Sequence, residues 1–391
     1  MRKNARSATE IGSAYDLPAP SYDADLVATG KGTPGGELLR RYWHPIAVAA
    51  EVGNLPRQVR VLGEDLILFR AAGGRFGLVY PRCAHRGTTL LYGKVEERGI
   101  RCCYHGWLFD PEGRCLEQPC EPGGGVKREN YRQPWYPVEE RYGLVFAYLG
   151  PLDRKPLLPR YDALENLDDD HYLAPNAEMT GQPDIQPCNW FQFYENTVDP
   201  SHVFILHATF SSNQFNELMA ITPELFFERT DNGVLAYQVR KLPDGSVLRR
   251  MVEVLLPTVR SVPDPRTLPD GKTNTVSWTL PIDDTHMTSL RVYKLRKDQH
   301  MPPFREARLY DGKTWFELDA EGHQRLPGDY EAQVGQGAIT FHSEEHLAGT
   351  DRGINMLRRM YRSAVKSVRE GGDAPGVVYK GDPMVKLRAG N

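Results

Sequence analysis

Two short runs of this chain pair a thiol with an imidazole: Cys83-Ala84-His85 and, sixteen residues further on, Cys102-Cys103-Tyr104-His105. Glycines follow closely, Gly87 and Gly106, which places both runs in loops. Two such loops can deliver two thiolates to one iron and two imidazoles to another. That is the ligand set of a [2Fe–2S] cluster in which histidine replaces cysteine on one iron, a change that raises the reduction potential. The pattern predicts a one-electron site at Cys83, His85, Cys102 and His105. A structural zinc is the competing reading. Zinc modules usually pair Cys with Cys and His with His, whereas both loops here are mixed. Iron content and visible absorption separate the two.

A second constellation lies at Glu195-Asn196-Thr197-Val198-Asp199-Pro200-Ser201-His202-Val203-Phe204-Ile205-Leu206-His207. Its two imidazoles are five residues apart, which on a regular helix turns them about 140° from one another. They can meet at one metal only if the helix loosens between them. Pro200 removes one backbone donor, and a wide turn would supply the rest. Asn196, Asp199 and His202 are spaced by three and share a face, so Asp199 can hydrogen-bond near a metal without ligating it. Two histidines at this spacing are, taken alone, more often core or surface residues. A one-electron site earlier in the chain changes the reading, because its electron needs an acceptor and a mononuclear iron suits.

The elements that must hold these residues are mostly strands. Thirty prolines and thirty-six glycines are spread through 391 residues, as suits a turn-rich protein and not a helix bundle. Alternating residues between Gln58 and Tyr80, with Gly73-Gly74 between them, read as hairpin material, and Leu144–Leu149 as a buried strand. Residues 1–35 read as an extended arm, with a short helix or turn around Leu38–Val48. Residues 225–300 read as antiparallel sheet. The stretch Trp190–His207 reads as helix. After Asp351, which can cap it, Ile354, Leu357, Tyr361, Ala364, Val365 and Val368 fall on one helical face. The division expected is an arm over 1–40, a first domain over 41–155 and a second over 156–391. A net charge of −3 favours neither nucleic acid nor an anionic membrane as partner. The basic start Met1–Arg6 lacks an apolar stretch of signal-peptide type, and no run approaches a membrane span. These features place the chain in the cytoplasm, with Cys115 and Cys120 expected as free thiols.

With its flanks, the first motif reads Pro81-Arg82-Cys83-Ala84-His85-Arg86-Gly87 and Cys102-Cys103-Tyr104-His105-Gly106-Trp107. It closely resembles the Rieske domain of the ring-hydroxylating oxygenases. That family typically has proline after the second ligand cysteine, where this chain has Cys103. Respiratory Rieske proteins carry an extra disulfide at the positions occupied here by Thr88 and Tyr104, so the resemblance is to the oxygenase type. The run Glu195-Asn196…Asp199…His202…His207 resembles the ferrous-site helix of the same family, in which a later aspartate completes a 2-His-1-carboxylate triad. Asp329 is the residue chosen here, with Glu331 as the fallback. The stretch from Pro327 to Arg352 is similar to the phthalate-dioxygenase branch, which usually has glutamine before that aspartate, where Gly328 stands here. Trp278–His286 is also similar to that branch, and structural use is expected for Asp283, Asp284 and His286.

The resemblance implies an α+β fold: an all-β Rieske [2Fe–2S] domain, then a catalytic domain with a large antiparallel sheet flanked by helices, of helix-grip type. It implies a terminal oxygenase that uses dioxygen and electrons from an NAD(P)H-dependent reductase, with or without a ferredoxin. The cofactors would be the [2Fe–2S] cluster and a mononuclear Fe(II) held by His202, His207 and Asp329. Asn196 and Asp199 would serve catalysis. A head-to-tail homotrimer, or stacked trimers, would set His105 of one subunit against Asp199 of the next. The substrate would be an aromatic carboxylate undergoing ring hydroxylation or dihydroxylation, or else a methoxylated or ether-linked aromatic undergoing O-demethylation or ether cleavage. Phe191, Phe204, Phe210, Phe215 and Met219 are candidates for its pocket, with core packing as the alternative for each. Arg249, Arg250 and Arg260 could meet a carboxylate, with solvated surface as the alternative. An electron carrier without oxygenase activity is disfavoured, because the chain continues past residue 155 and contains His202 and His207.

Overall fold

The computed structural model describes residues 14–179, 181–211, 214–301 and 304–391. The first metal motif is carried by small antiparallel sheets. One is built from Arg57–Val61, Glu64–Arg70, Phe76–Val79 and Trp135–Tyr136; another from Lys94–Glu96, Gly99–Arg101, Leu108–Phe109 and Cys115–Glu117. The expected hairpin is present: Ile67 to Arg70 pair with Val79 to Phe76, and Gly74 takes φ 88° in the turn. Leu144–Tyr148 is a wholly buried strand between Trp43–Val48 and Val138–Arg141.

Two local expectations give way. Trp43–Val48 is a strand, not a helix or turn, and all six residues are buried. Its partner lies about a hundred residues away, and Pro45 is accommodated where the register slips between Pro45 and Ala47. Among the described residues before 41, helices Ala24–Val27 and Pro34–Leu39 stand where an extended arm was expected, and residues 1–13 of that arm lie outside the described residues. Asp23 Oδ1 accepts from Asp25 N and Thr33 Oγ1 from Gly36 N, so both helices are capped. Leu26, Val27, Leu38 and Leu39 are buried in the main core.

That strand also buries His44 completely. His44 Nε2–H donates to the Leu39 carbonyl at 2.8 Å, while burial, with Arg40 nearby, holds the imidazole down to about 4. In the unfolded chain it titrates near its ordinary value, about 6.5. Between those two values the unfolded state binds the extra proton, so stability rises with pH. The contribution is complete above about pH 6.5 and is lost as pH falls toward 4, amounting to about 3 kcal/mol. Urea unfolding between pH 7 and pH 4 is expected to show this slope in the native sequence and a flatter one in His44→Gln.

The second half is a seven-stranded antiparallel sheet in the order His171–Asn176, Met287–Arg296, Thr275–Pro281, Val259–Ser261, Val247–Leu255, Gly233–Lys241, Glu224–Arg229. Helix Arg352–Arg369 lies against it and buries Leu357, Tyr361, Ala364, Val365 and Val368, the face read from the sequence. Gly353 lets this helix approach the iron-motif segment, since a Cβ there would stand 2.5 Å from the Val198 carbonyl. Asp351 precedes the helix without capping it through its side chain and accepts from Ala348 N instead. Arg358 joins the two segments more firmly. Its guanidinium donates to both carboxylate oxygens of Glu195, at 2.8 and 2.6 Å, and to Glu345. The core runs without a break between the halves, with Phe146 and Tyr161 edge-on to Trp278.

Candidate functional site

The two Cys–His loops share one backbone wiring. In each, the cysteine N–H donates to the carbonyl five residues on, Cys83 to Thr88 at 2.9 Å and Cys102 to Trp107 at 2.8 Å. In each, the glycine four residues on donates back to the cysteine carbonyl, Gly87 at 2.8 Å and Gly106 at 3.0 Å. Both glycines are left-handed, with φ 74° and 72°, which an L side chain would resist. Cys83 and Cys102 are thereby buried side by side, while His85 and His105 reach the surface with ring centroids 4.5 Å apart. Burial pushes the Cys83 thiol up to about 11, although the His85 backbone amide opposes this. A bound cation would offset that desolvation, since metals take the thiolate.

Neighbouring residues that the sequence did not single out fix these loops. Buried Gln133 donates through Nε2 to the carbonyls of Tyr80 (2.7 Å) and Arg82 (3.0 Å), and its Oε1 accepts from Ala84 N at 2.8 Å. Arg101 donates to the Gly106 carbonyl at 2.7 Å. The His85 ring stacks flat on Trp107, 1° from parallel at 4.5 Å. Tyr104, beside His105, is 55% exposed, and Cys103 is exposed next to it.

At the second motif the expected single helix is broken into pieces. Trp190–Glu195 is α-helical, a 3₁₀ turn covers Asn196–Val198, Ser201–Ile205 is α-helical, and Leu206–Phe210 is a π-helix. The changes of winding remove the divergence a regular helix would impose. His202 and His207 lie with ring centroids 5.4 Å apart, and His202, His207 and Asp329 each offer a ligand atom within 4.8 Å of the others. Asp329 Oδ1 is 3.3 Å from His207 Nε2 and 3.7 Å from His202 Nε2.

The donor set fits a divalent metal. His202 Nδ1 meets the Asp199 carbonyl, and His207 Nδ1 meets Gln214 Oε1 at 2.7 Å, with Gln214 Nε2 turned toward the Pro327 carbonyl. A carbonyl can only accept, so each Nδ1 carries the proton and each Nε2 presents its lone pair toward Asp329. His207 Nε2 is buried without a hydrogen-bond partner of adequate geometry, as a metal ligand would be before binding. Burial opposes ionisation of Asp329, but positive charge at His207 and His202 holds its carboxyl well below the usual carboxylate range, and a cation bound between neutral imidazoles would act in the same sense. Asn196 Nδ2 donates to Asp329 Oδ1 at 3.2 Å and lies 3.3 Å from His202 Nε2. Glu331 is fully engaged elsewhere, accepting from Trp315 Nε1 (2.6 Å), Gly328 N (2.8 Å) and His323 Nδ1 (2.9 Å). Gly328 leaves room for the Tyr310 hydroxyl, which would stand 2.6 Å from a Cβ there. Because Gln214 orients His207, Gln214→Leu is expected to weaken iron retention about 10- to 100-fold, measured by chelator competition.

A cavity of about 210 Å³ opens beside His207 and Asp329. Of the pocket residues expected from the sequence, only Phe215 lines it, its ring 4.3 Å from that of His207. Phe191 is buried in the aromatic core against Trp190 and Tyr361, and Met219 is buried away from the cavity. Phe210 is 65% exposed, and Phe204 faces neither the cavity nor the core cluster. Most of the walls come from the sheet instead, Arg260, Ser277, Arg291 and Tyr293, joined by Phe193 of the helix Trp190–Glu195 and by Arg266 of a loop. Of the three candidate arginines, only Arg260 lines the cavity; Arg250 is buried against the Pro263 carbonyl and Asn391. Asp284 serves structure, accepting from Thr29 N and Oγ1. A larger cleft of about 570 Å³, between Trp43 and Arg388, contains none of the candidate ligands.

The family model for the Rieske [2Fe-2S] domain matches residues 42–134. The phenoxybenzoate dioxygenase subunit alpha of Ectopseudomonas oleovorans is 48% identical over 392 residues, covering 98% of this chain and 95% of that protein. The chain belongs to the Rieske non-haem iron oxygenases. It is a terminal oxygenase component, with a [2Fe–2S] cluster and a mononuclear iron as cofactors. The 5,5'-dehydrodivanillate O-demethylase oxygenase subunit of Sphingobium sp. is 32% identical over 373 residues, 92% of this chain and 83% of that one. In fold the oxygenase is similar to NdmA of Pseudomonas putida CBB5 with caffeine, at a TM-score of 0.66 and 20% identity over 87% of this chain and 95% of that one. Among the described residues no helix is long and apolar enough to cross a membrane.

Proposed function

We propose that this oxygenase acts on an aromatic carboxylate, by ring hydroxylation or dihydroxylation. The observation that carries this is the meeting of His202, His207 and Asp329 at one end of a cavity walled by aromatic rings and guanidinium groups. A cavity of roughly 150 Å³ already holds a benzene ring, so 210 Å³ suits one ring and a small substituent. The similarity to a phenoxybenzoate dioxygenase supports the same substrate class. Bound at the triad, ferrous iron supplies dioxygen activation, with electrons from the cluster. The chain's own part is to bind the ring beside the triad, keep both Nε2 lone pairs aimed at one point, and exclude water.

Residues 41–155 form the electron-receiving unit in this reading, and 156–391 the oxygen-activating unit. Assembly is a head-to-tail trimer, alone or stacked, working in the cytoplasm with an NAD(P)H-dependent reductase. Two features support the ring: the surface position of His105 among Tyr104 and Cys103, and the partly exposed Asp199 carboxylate, 3.8 Å from His202 Nδ1. A heterologous contact of this kind closes into a ring. Sedimentation of the holoenzyme tests the trimer.

Aryl ether cleavage or O-demethylation at the same site is the second reading, favoured by the similarity to an O-demethylase. Reductase-coupled turnover over aromatic acids and aryl ethers decides between them. A cis-diol retaining both oxygen atoms supports dihydroxylation and a phenol keeping the intact skeleton supports hydroxylation, whereas formaldehyde release supports O-demethylation and separation of two aromatic fragments supports ether cleavage.

A further inference from the structure

Arg260 stands on the short central strand Val259–Ser261 and lines the cavity that holds His207 and Asp329. Its Nη2 donates to Ser289 Oγ at 2.8 Å, and its guanidinium lies 4.3 Å from the centre of the Phe193 ring. Its Nε is buried and has no hydrogen-bond partner. Among the described residues no carboxylate forms an ion pair with it, and the other acids of the cavity are committed. Asp264 is held by both ends of the Arg266 fork, at 3.0 and 2.9 Å, and Asp329 accepts from Asn196 Nδ2 and lies against the two imidazoles. Burial, with Arg291 alongside, lowers the Arg260 guanidinium to about 9. A desolvated cation without a counter-ion is costly and rarely kept without a use. Stacking on Phe193 and the bond to Ser289 fix the plane of the fork, which is the preorganisation that two-point carboxylate binding needs.

We propose that Arg260 anchors the substrate carboxylate and so determines both the preference for acids and the placement of the ring. The carboxylate takes the place of the missing counter-ion, against the part of the guanidinium that lines the cavity. The ring then extends along Phe193 toward Phe215 and the His207–Asp329 end of the cavity. This inference rests on the aromatic-carboxylate reading above and assigns that preference to one side chain.

Calorimetric titration of the iron- and cluster-loaded full-length protein with benzoate, and with its neutral isostere benzamide, tests it. The native protein is expected to bind benzoate more tightly than benzamide. Arg260→Gln is expected to weaken benzoate about 10- to 100-fold and leave benzamide within about threefold. Arg260→Lys, which keeps charge but not the fork, is expected to recover only part of the loss. Equal benzoate affinity in native and Arg260→Gln proteins, with the cluster absorption intact, overturns the anchor and leaves the substrate class standing. Equal affinity of the native protein for benzoate and benzamide, or binding of neither, overturns the substrate class and the anchor with it. Should Arg260→Gln not fold, Arg260→Lys decides: a benzoate-to-benzamide ratio lowered about tenfold supports the anchor, and an unchanged ratio overturns it.

Discussion

Replacing His207 with alanine is expected to reduce product formation to background while leaving the visible absorption of the cluster unchanged. Iron content should fall from roughly three atoms per chain to two. The reason is local. His207 is nearly wholly buried, its Nδ1 proton is committed to Gln214 Oε1, and its Nε2 has no protein hydrogen bond to lose. Alanine would remove one of three donors and leave a void that the π-helical turn cannot close without moving Phe215, whose ring lies against the imidazole. Glu331→Gln is the matching control. That carboxylate is occupied by Trp315, His323 and the Gly328 amide, so the iron count should hold. Metal analysis of the two variants gives a direct comparison. A His207→Ala protein that still carries the third iron would rule out this residue as a ligand.

The second large effect is expected at Asp199. In Asp199→Ala both metal sites should fill, yet turnover should fall by about 10²-fold. The carboxylate is not needed to orient His202, because the Nδ1 proton of that imidazole goes to the Asp199 backbone carbonyl, which alanine retains. One of its oxygens accepts from Ser201 N at 3.1 Å, and the side chain is 25% exposed. In the proposed trimer it receives the outer N–H of His105 from a neighbouring copy. Removing it would then lengthen the path between the metal sites without dismantling either. Stopped-flow reoxidation of the reduced cluster, with substrate and dioxygen present, measures that step apart from iron binding. Reoxidation at the native rate in the variant would refute the bridge.

Much of the site could be read before any fold was known, and the reason is spacing. Cys–His pairs two and three residues apart in Gly-containing loops leave little choice of ligand chemistry, and the structure adds that both loops use the same hydrogen bonds around Gly87 and Gly106. The hydrophobic face of the last long helix was legible in the same way, because a periodic pattern is local information. Short-range signals misled where the partner was remote. Trp43–Val48 looked like a helix or turn because its strand partner lies near residue 146. The segment before residue 40 looked like an arm because Pro and Gly are frequent in it and no period holds, although Leu26, Val27, Leu38 and Leu39 pack into the main core. The cavity was the least legible part. Phenylalanines close to His202 in sequence were obvious candidates, but a helix turns most of its side chains away from any one point. Most of the actual walls come from strands that meet only through cross-strand pairing, such as Ser277 opposite Arg291, with Phe193 added from the helix before the iron motif.

From the sequence alone, then, the two cofactors, the order of the two units and the class of chemistry could be determined, because each is written in neighbouring residues whose types admit few alternatives. Tertiary structure decided which carboxylate lies beside the two imidazoles, which nitrogen of each imidazole carries the proton, and which of the candidate arginines lines the cavity. These depend on distances of a few ångströms between elements up to more than a hundred residues apart, and such distances are set by packing and strand register, not by any local run of the chain.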